Sequence, residues 1–216
     1  MTGFKDRSDA GKRLAAKLQV YANRPDVIVL GLPRGGIPVA FEVARKLRLS
    51  LDVFVVRKLG VPGREELAMG AIASGGIEVL NDNIVRGLNI SRAVIESVAR
   101  KEGEELKRRE QLYRGNRASL NVKDLTVILV DDGLATGATM RAAVQALRIQ
   151  KPVSVVVAVP VASPEACQEL GDEADDIVCA ITPEPFYSVG SWYEDFSQTT
   201  DDEVRTLLKM AHETIQ

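Results

Sequence analysis

Five short runs of aliphatic and β-branched residues set the tightest limit on what this chain can fold into: Val27 to Gly31 (VIVLG), Leu51 to Arg57 (LDVFVVR), Leu125 to Asp131 (LTVILVD), Val153 to Val159 (VSVVVAV) and Asp176 to Ile181 (DIVCAI). They are apolar at successive rather than alternate positions, so both faces of the sheet they build must be covered. Between them Ile37 to Leu47, Gly137 to Leu147 and Pro164 to Leu170 have helical character, the last opened by Ser163 as N-cap with Pro164 at the first helical position. Strands alternating with helices predict an α/β fold with a doubly wound, mostly parallel sheet.

One insertion interrupts the alternation. Gly60 to Leu88 contains MGAIASGGIEVLND, which predicts a hairpin turning at Gly75 and Gly76. A helix from about Ser91 to Arg114 follows, its glutamates interleaved with lysines and arginines as a solvated face. From Pro183 to Thr200 the chain changes character: Phe186, Tyr187, Trp192, Tyr193 and Phe196 are half of its ten aromatic residues. Such a stretch either closes over a core or stacks a flat ligand. Thr200 and Glu203 then form a capping box that starts a final helix.

The 216 residues suit one domain with a small cap, and the formal charge of -2 gives no overall basic field for a nucleic acid. Only Lys107 to Arg109 hints at a basic face, so nucleic acid is a poor default partner. No signal-peptide pattern opens the chain and no run of membrane-spanning length occurs, which leads to the expectation of a cytoplasmic protein. Cys167 and Cys179 lack CxxC spacing and are expected as reduced, packed thiols. The single histidine, His212, lies in the last helix, so a Ser-His-Asp or Cys-His device would depend on it alone and is set aside.

The chemistry concentrates in Val127 to Met140, VILVDDGLATGATM: a buried strand ends in two acids, and a loop of small residues leads into a helix. Ligands of open parallel sheets bind beyond the carboxyl ends of the strands, where helix N-termini offer free N–H groups to a phosphate. Gly133, Leu134, Ala135, Thr136, Gly137, Ala138 and Thr139 would form that phosphate cup, the small residues allowing close approach and the threonines adding hydroxyl donors. Asp131 and Asp132 would repel a phosphate, and suit a pair of sugar hydroxyls or Mg²⁺ instead. Neither GxxxxGK[ST] nor a GxGxxG after a strand occurs, which excludes the common triphosphate and dinucleotide loops.

This segment resembles the motif by which the type I phosphoribosyltransferases bind 5-phosphoribosyl-1-pyrophosphate (PRPP). The resemblance implies that Asp131 and Asp132 contact the ribose 2- and 3-hydroxyls, touching any metal only indirectly through those hydroxyls or water, and that Gly133 to Thr139 hold the 5-phosphate. Ala135 stands where hypoxanthine-guanine enzymes carry an Asp, and looks more like the adenine-type pattern. Pro33, Arg34, Gly35 and Gly36, at the end of the first strand, resemble the family's pyrophosphate loop, in which a cis non-proline peptide is common. Arg57 and Lys58 resemble the pair that opens the flexible catalytic loop of adenine- and orotate-type relatives, in some cases reaching across a dimer interface.

The resemblance thus implies a single type I phosphoribosyltransferase-like domain over 1–216, with a core of about 26–182, a flexible loop of about 59–69, and a hood from the chain ends, about 1–21 and 183–200. Phe186, Tyr187, Trp192 and Tyr193 would face the acceptor. The expected activity is Mg²⁺-dependent transfer of phosphoribosyl from PRPP to a nitrogenous acceptor, with Arg34, Arg57 and Lys58 stabilising the departing pyrophosphate, in a homodimer. The alternative is a non-catalytic PRPP sensor that regulates nucleotide metabolism.

Overall fold

The computed structural model describes residues 3–117 and 120–214. Five strands form one parallel sheet: β1 (Val27–Gly31), β2 (Ser50–Val53), β6 (Thr126–Val130), β7 (Ser154–Val161) and β8 (Asp176–Ile181), in the order β2-β1-β6-β7-β8. Successive residues divide between two faces. Val29, Ile128, Val130 and Val156 pack beneath α1 (Arg7–Lys17), α2 (Gly36–Leu47) and α7 (Asp201–Thr214). Leu30, Val127, Leu129 and Val157 pack beneath α5 (Ala138–Ile149) and α6 (Pro164–Leu170). Both faces are therefore dry, as strands without polar alternation require.

The run expected as one strand from Leu51 to Arg57 is two. β2 ends at Val53, Phe54 N–H still donates to Gly31 O at 3.0 Å, and the chain then leaves for a second sheet. Val55 N–H donates to the hydroxyl of buried Ser74 at 2.9 Å, which fixes the departure. Uniform apolarity hid the bend, because no change of period marks where one sheet hands over to the other. The second sheet is antiparallel: β3 (Val56–Val61), β4 (Arg64–Ala73) and β5 (Ile77–Leu80), in the order β3-β4-β5. The expected Gly75–Gly76 turn joins β4 to β5, with both glycines at positive φ. Segment 59–69, expected as a flexible loop, is the outer part of the β3–β4 hairpin, turning at Pro62 and Gly63 with bulged pairing near Gly60.

After a short helix, α3 (Asp82–Gly87), the long α4 (Arg92–Arg114) starts at Ser91, whose hydroxyl accepts from Val94 N–H. The chain ends meet: Phe4 N–H donates to Trp192 O at 2.7 Å and Glu194 N–H returns the bond to Phe4 O at 2.8 Å. Cys167 and Cys179 are half-buried free thiols, hydrogen-bonded to each other with their sulfur atoms 3.3 Å apart. Among the described residues no helix is long and apolar enough to cross a membrane.

Candidate functional site

The sheet order reverses between β1 and β6: from β1 the chain runs to β2 on one side, and β6 lies on the other. A crevice opens at such a reversal because the two following connections depart to opposite faces. Here those connections are Leu32 to Gly35, leading into α2, and Asp131 to Gly137, leading into α5.

The helices that start at this crevice differ from the others. Asp6, Asn81, Ser91 and Ser163 cap α1, α3, α4 and α6 with side-chain oxygens, and Thr200 does so for α7. α2 and α5 instead begin at Gly35 and Gly137, with no capping side chain. At α5 the first-turn N–H groups and the positive dipole end are left for an anion, whereas at α2 Gly36 N–H, expected to face a ligand, donates to Leu32 O at 3.0 Å and Ile37 N–H to Arg34 O at 3.1 Å.

Local sequence shapes each loop. Gly137 has φ 70°, a left-handed turn that lets the chain pass directly into α5. Leu134 is buried and pinned from both sides, its N–H donating to Val161 O at 2.9 Å and its carbonyl accepting Ser163 N–H at 2.9 Å. Leu134 thereby anchors the cup, while Ala135, Thr136, Ala138 and Thr139 stay exposed on its rim. Ser163 Oγ braces the rim by donating to Ala135 O at 3.1 Å. In the other loop the Pro33–Arg34 peptide is cis. Gly36 lies against Val130 O and Asp131, so the two loops touch where only hydrogen fits.

The acids stand at this contact. Asp131 Oδ1 accepts Asp132 N–H at 2.8 Å. Burial, and then the charge of Asp132, raise the Asp131 pKa well above the ordinary carboxylate value. Burial also raises Asp132, against the lowering effect of Arg7. Arg7 reaches from α1 to place Nε and Nη2 each 2.8 Å from Asp132 Oδ2. Its Nη1 donates to Ser197 O at 2.7 Å, and its guanidinium lies 4.1 Å from the centre of the Phe196 ring. Tyr193 adds a third tie, its hydroxyl donating to Asp132 O at 2.6 Å. Both chain ends therefore converge on Asp132.

A carboxylate pair beside an uncapped helix start suits a sugar that carries a phosphate, and the sequence model of the phosphoribosyl transferase domain matches residues 4–187. The chain belongs to this family. Two Mycobacterium tuberculosis proteins provisionally named as phosphoribosyl transferases, from strains H37Rv and CDC 1551, are 47% identical over 209 residues, which are 97% of this chain and 47% of theirs. The chain thus spans about half the length of these curated relatives. The bifunctional protein PyrR of Clostridioides difficile is 30% identical over 123 residues, 54% of this chain and 68% of that protein. The crystal structure of TT1426 from Thermus thermophilus superposes with a TM-score of 0.85 at 44% identity, covering 96% of this chain and 98% of that one.

Other expected site residues of this phosphoribosyl transferase domain lie on different elements. Arg57 is the second residue of β3 and is held by Glu102 of α4, its Nε 2.9 Å from Oε2, and Lys58 pairs with Glu66 at 3.1 Å across the hairpin. Arg34 is half-exposed and faces Tyr113 of α4, whose phenol pKa is pushed up to about 12 by burial and an Asp201 hydrogen bond, partly offset by Arg109 and Arg34. Of the four aromatics expected at the acceptor, Tyr193 is buried, Phe186 and Trp192 are half-buried against Phe4 and Val161, and Tyr187 is 81% exposed. Arg7 and Glu102 escaped the sequence reading. Their partners are 125 and 45 residues away and no local spacing signals either pair.

The acids suit a hard cation only in part. Among the described residues no group of three or more His, Cys, Asp and Glu side chains could hold a metal ion. Asp131 and Asp132 supply oxygens at the crevice, so Mg²⁺ there would take most of its ligands from phosphate, ribose and water oxygens, its usual habit.

Proposed function

We propose that this chain binds PRPP with Mg²⁺ and transfers its phosphoribosyl group to a nitrogenous, base-like acceptor, releasing pyrophosphate. The observation that carries the reading is the pair of uncapped helix starts, α2 at Gly35 and α5 at Gly137, on either side of Asp131 and Asp132 at one reversal of strand order.

In this reading the N–H groups opening α5 and the Thr136 and Thr139 hydroxyls hold the 5-phosphate. Asp131 and Asp132 accept from the ribose diol. The N–H group of Gly35, with Arg34 and the positive end of α2, holds the pyrophosphate. Asp131 and Asp132 would hold Mg²⁺ indirectly, through the ribose hydroxyls or water, and the ion would supply charge that neutralises the leaving group. As the bond from the ribose to pyrophosphate breaks, positive charge develops on the sugar, as in glycoside cleavage. The acceptor nitrogen then forms the new bond and its proton passes to solvent. The carboxylates favour the sugar cation while the cations and amides opposite favour the anion leaving it. Arg57 and Lys58 reach that anion when the β3–β4 hairpin folds over the crevice, which excludes water that would otherwise hydrolyse PRPP. The protein acts in the cytoplasm as a homodimer.

Incubating the purified protein with PRPP, Mg²⁺ and a panel of nitrogenous bases tests the proposal. Pyrophosphate release that depends on one base supports it. PRPP binding without release for any base favours the sensor reading, and absence of PRPP binding overturns both.

A further inference from the structure

A separate cleft of about 590 Å³ runs between the C-terminal end of α4 and the length of α7, at the β2 edge of the sheet with β1 between it and β6. That volume lies within the roughly 300–1,000 Å³ range of small-molecule sites. Arg114, Arg117, Arg205, Lys209 and His212 line it, against only Asp202 and Glu213, in a chain whose net charge is -2.

The charges at the α4 end do not balance. Asp52 of β2 is engaged by both Nε and Nη2 of Arg114, at 3.3 and 3.0 Å. Arg117 comes no closer to the same carboxylate than 3.8 Å. Its Nε and Nη2 donate instead to Arg114 O and Tyr113 O, at 3.0 and 3.1 Å, tying the guanidinium to the last carbonyls of α4. Nη1 is buried and has no hydrogen-bond partner among the described residues. A guanidinium N–H removed from water without an acceptor is costly. On α7, Asp202 and Glu213 are paired with their own neighbours Arg205 and Lys209, so neither supplies Arg117 with an acceptor.

We propose that this cleft is a second anion site, which takes the phosphate group of a small phosphorylated molecule on Arg117 with Arg205 and Lys209. Fixed guanidinium donors match phosphate oxygens in geometry, and a dianion offsets the cation surplus that Asp52 leaves. The inference does not depend on PRPP binding at the β1–β6 crevice.

The molecule carries its own reporter, because His212 is the only histidine and stands on the cleft. Its surroundings are Asp52, Arg114, Arg117, Lys209 and Glu213. Partial burial and then Arg117 lower its pKa, partly offset by Asp52, and Arg114 lowers it further. An anion on Arg117 reverses that repulsion. The imidazole resonances are therefore followed through pH titrations in inorganic phosphate, with chloride holding the ionic strength. The expected result is a saturable rise of the His212 midpoint by about half a pH unit or more. Arg117→Gln and, because Arg117 also fastens α4, the more exposed Arg205→Gln should each diminish the rise. Asp131→Asn with Asp132→Asn should leave it intact. A nucleoside monophosphate acting at tenfold lower concentration identifies a nucleotide as the source, whereas equal action identifies phosphate alone, and both support the site. Identical titrations in phosphate and chloride, or a rise undiminished in both arginine variants, overturn it.

Discussion

Arg7, in the first turn of α1, and Asp132, in the connection just after β6, form an ion pair in which two guanidinium nitrogens approach one carboxylate oxygen at 2.8 Å. The side chains are only 12% and 17% exposed, so water compensates poorly for the loss of either. Arg7→Ala is expected to cost about 3 kcal/mol, mostly by leaving a desolvated carboxylate without a counter-charge. Adding Asp132→Asn should recover part of that loss, since a neutral amide needs no partner cation. Urea denaturation of the four-member cycle reads the coupling. A double variant no more stable than Arg7→Ala would mean that Arg7 acts through its contacts with Ser197 and Phe196 instead.

Asp131 makes stability depend on pH. Its folded pKa is raised by burial and by the charge of Asp132, whereas in the unfolded chain it titrates near the ordinary value of about 4. Between that value and the raised one the folded state holds more protons, so stability falls as pH rises through this window. Asp131→Asn removes the titration while Oδ1 can still accept Asp132 N–H. Thermal unfolding should show a variant Tm above wild type by a few degrees at pH 7, with the gap closing towards pH 4. A gap of constant size across that range would contradict the assignment.

The parallel sheet was legible in the sequence because burial on both faces demands unbroken apolar runs, and β1 and β8 begin and end where those runs do. The tight connection from β6 to α5 was legible for a related reason: small residues after a strand end mark such a turn, and Gly137 takes the positive φ it needs, while its use for a sugar phosphate belongs to the proposal. The division of Leu51 to Arg57 between two sheets was not legible, since Val53, Phe54 and Val55 are all buried and nothing in their type separates them. Nor was Arg7. An arginine in a helix's first turn is ordinary locally, and its significance lies wholly in a partner that the fold brings to it.

Gly36 tests how closely the two loops must meet. A Cβ there would stand 2.7 Å from Val130 O and 2.9 Å from Asp131 Cα, both backbone atoms that no rotamer change can move. Gly36→Ala should cost about 1 to 3 kcal/mol as overpacking. It should also weaken PRPP binding, measured by calorimetry, more than tenfold by separating the acids from the α2 start. Unchanged PRPP affinity would place the ligand away from this contact.

Lys58 offers a cleaner test of the hairpin than Arg57. Its partner Glu66 is fully exposed, so Lys58→Ala should alter stability by less than about 0.5 kcal/mol, whereas Arg57→Ala strands the half-buried Glu102. If the hairpin delivers Lys58 to the leaving group, the alanine variant loses turnover at least tenfold while PRPP still binds. Equal pyrophosphate release from variant and wild type would remove Lys58 from the reaction.

The aromatic stretch divides by burial. Trp192 packs with Phe4, Val161 and Tyr193, and its carbonyl accepts the bond that joins the chain ends, whereas Tyr187 presents its ring to solvent. Trp192→Ala should therefore destabilise the protein by about 3 kcal/mol, as large core truncations do, and disturb the whole hood. Tyr187→Ala should leave the denaturation midpoint unchanged and raise the KM for the acceptor without raising that for PRPP. The opposite pattern, with Tyr187 supporting stability and Trp192 dispensable for it, would place the acceptor against Trp192 and reverse the assignment of packing and binding within the hood.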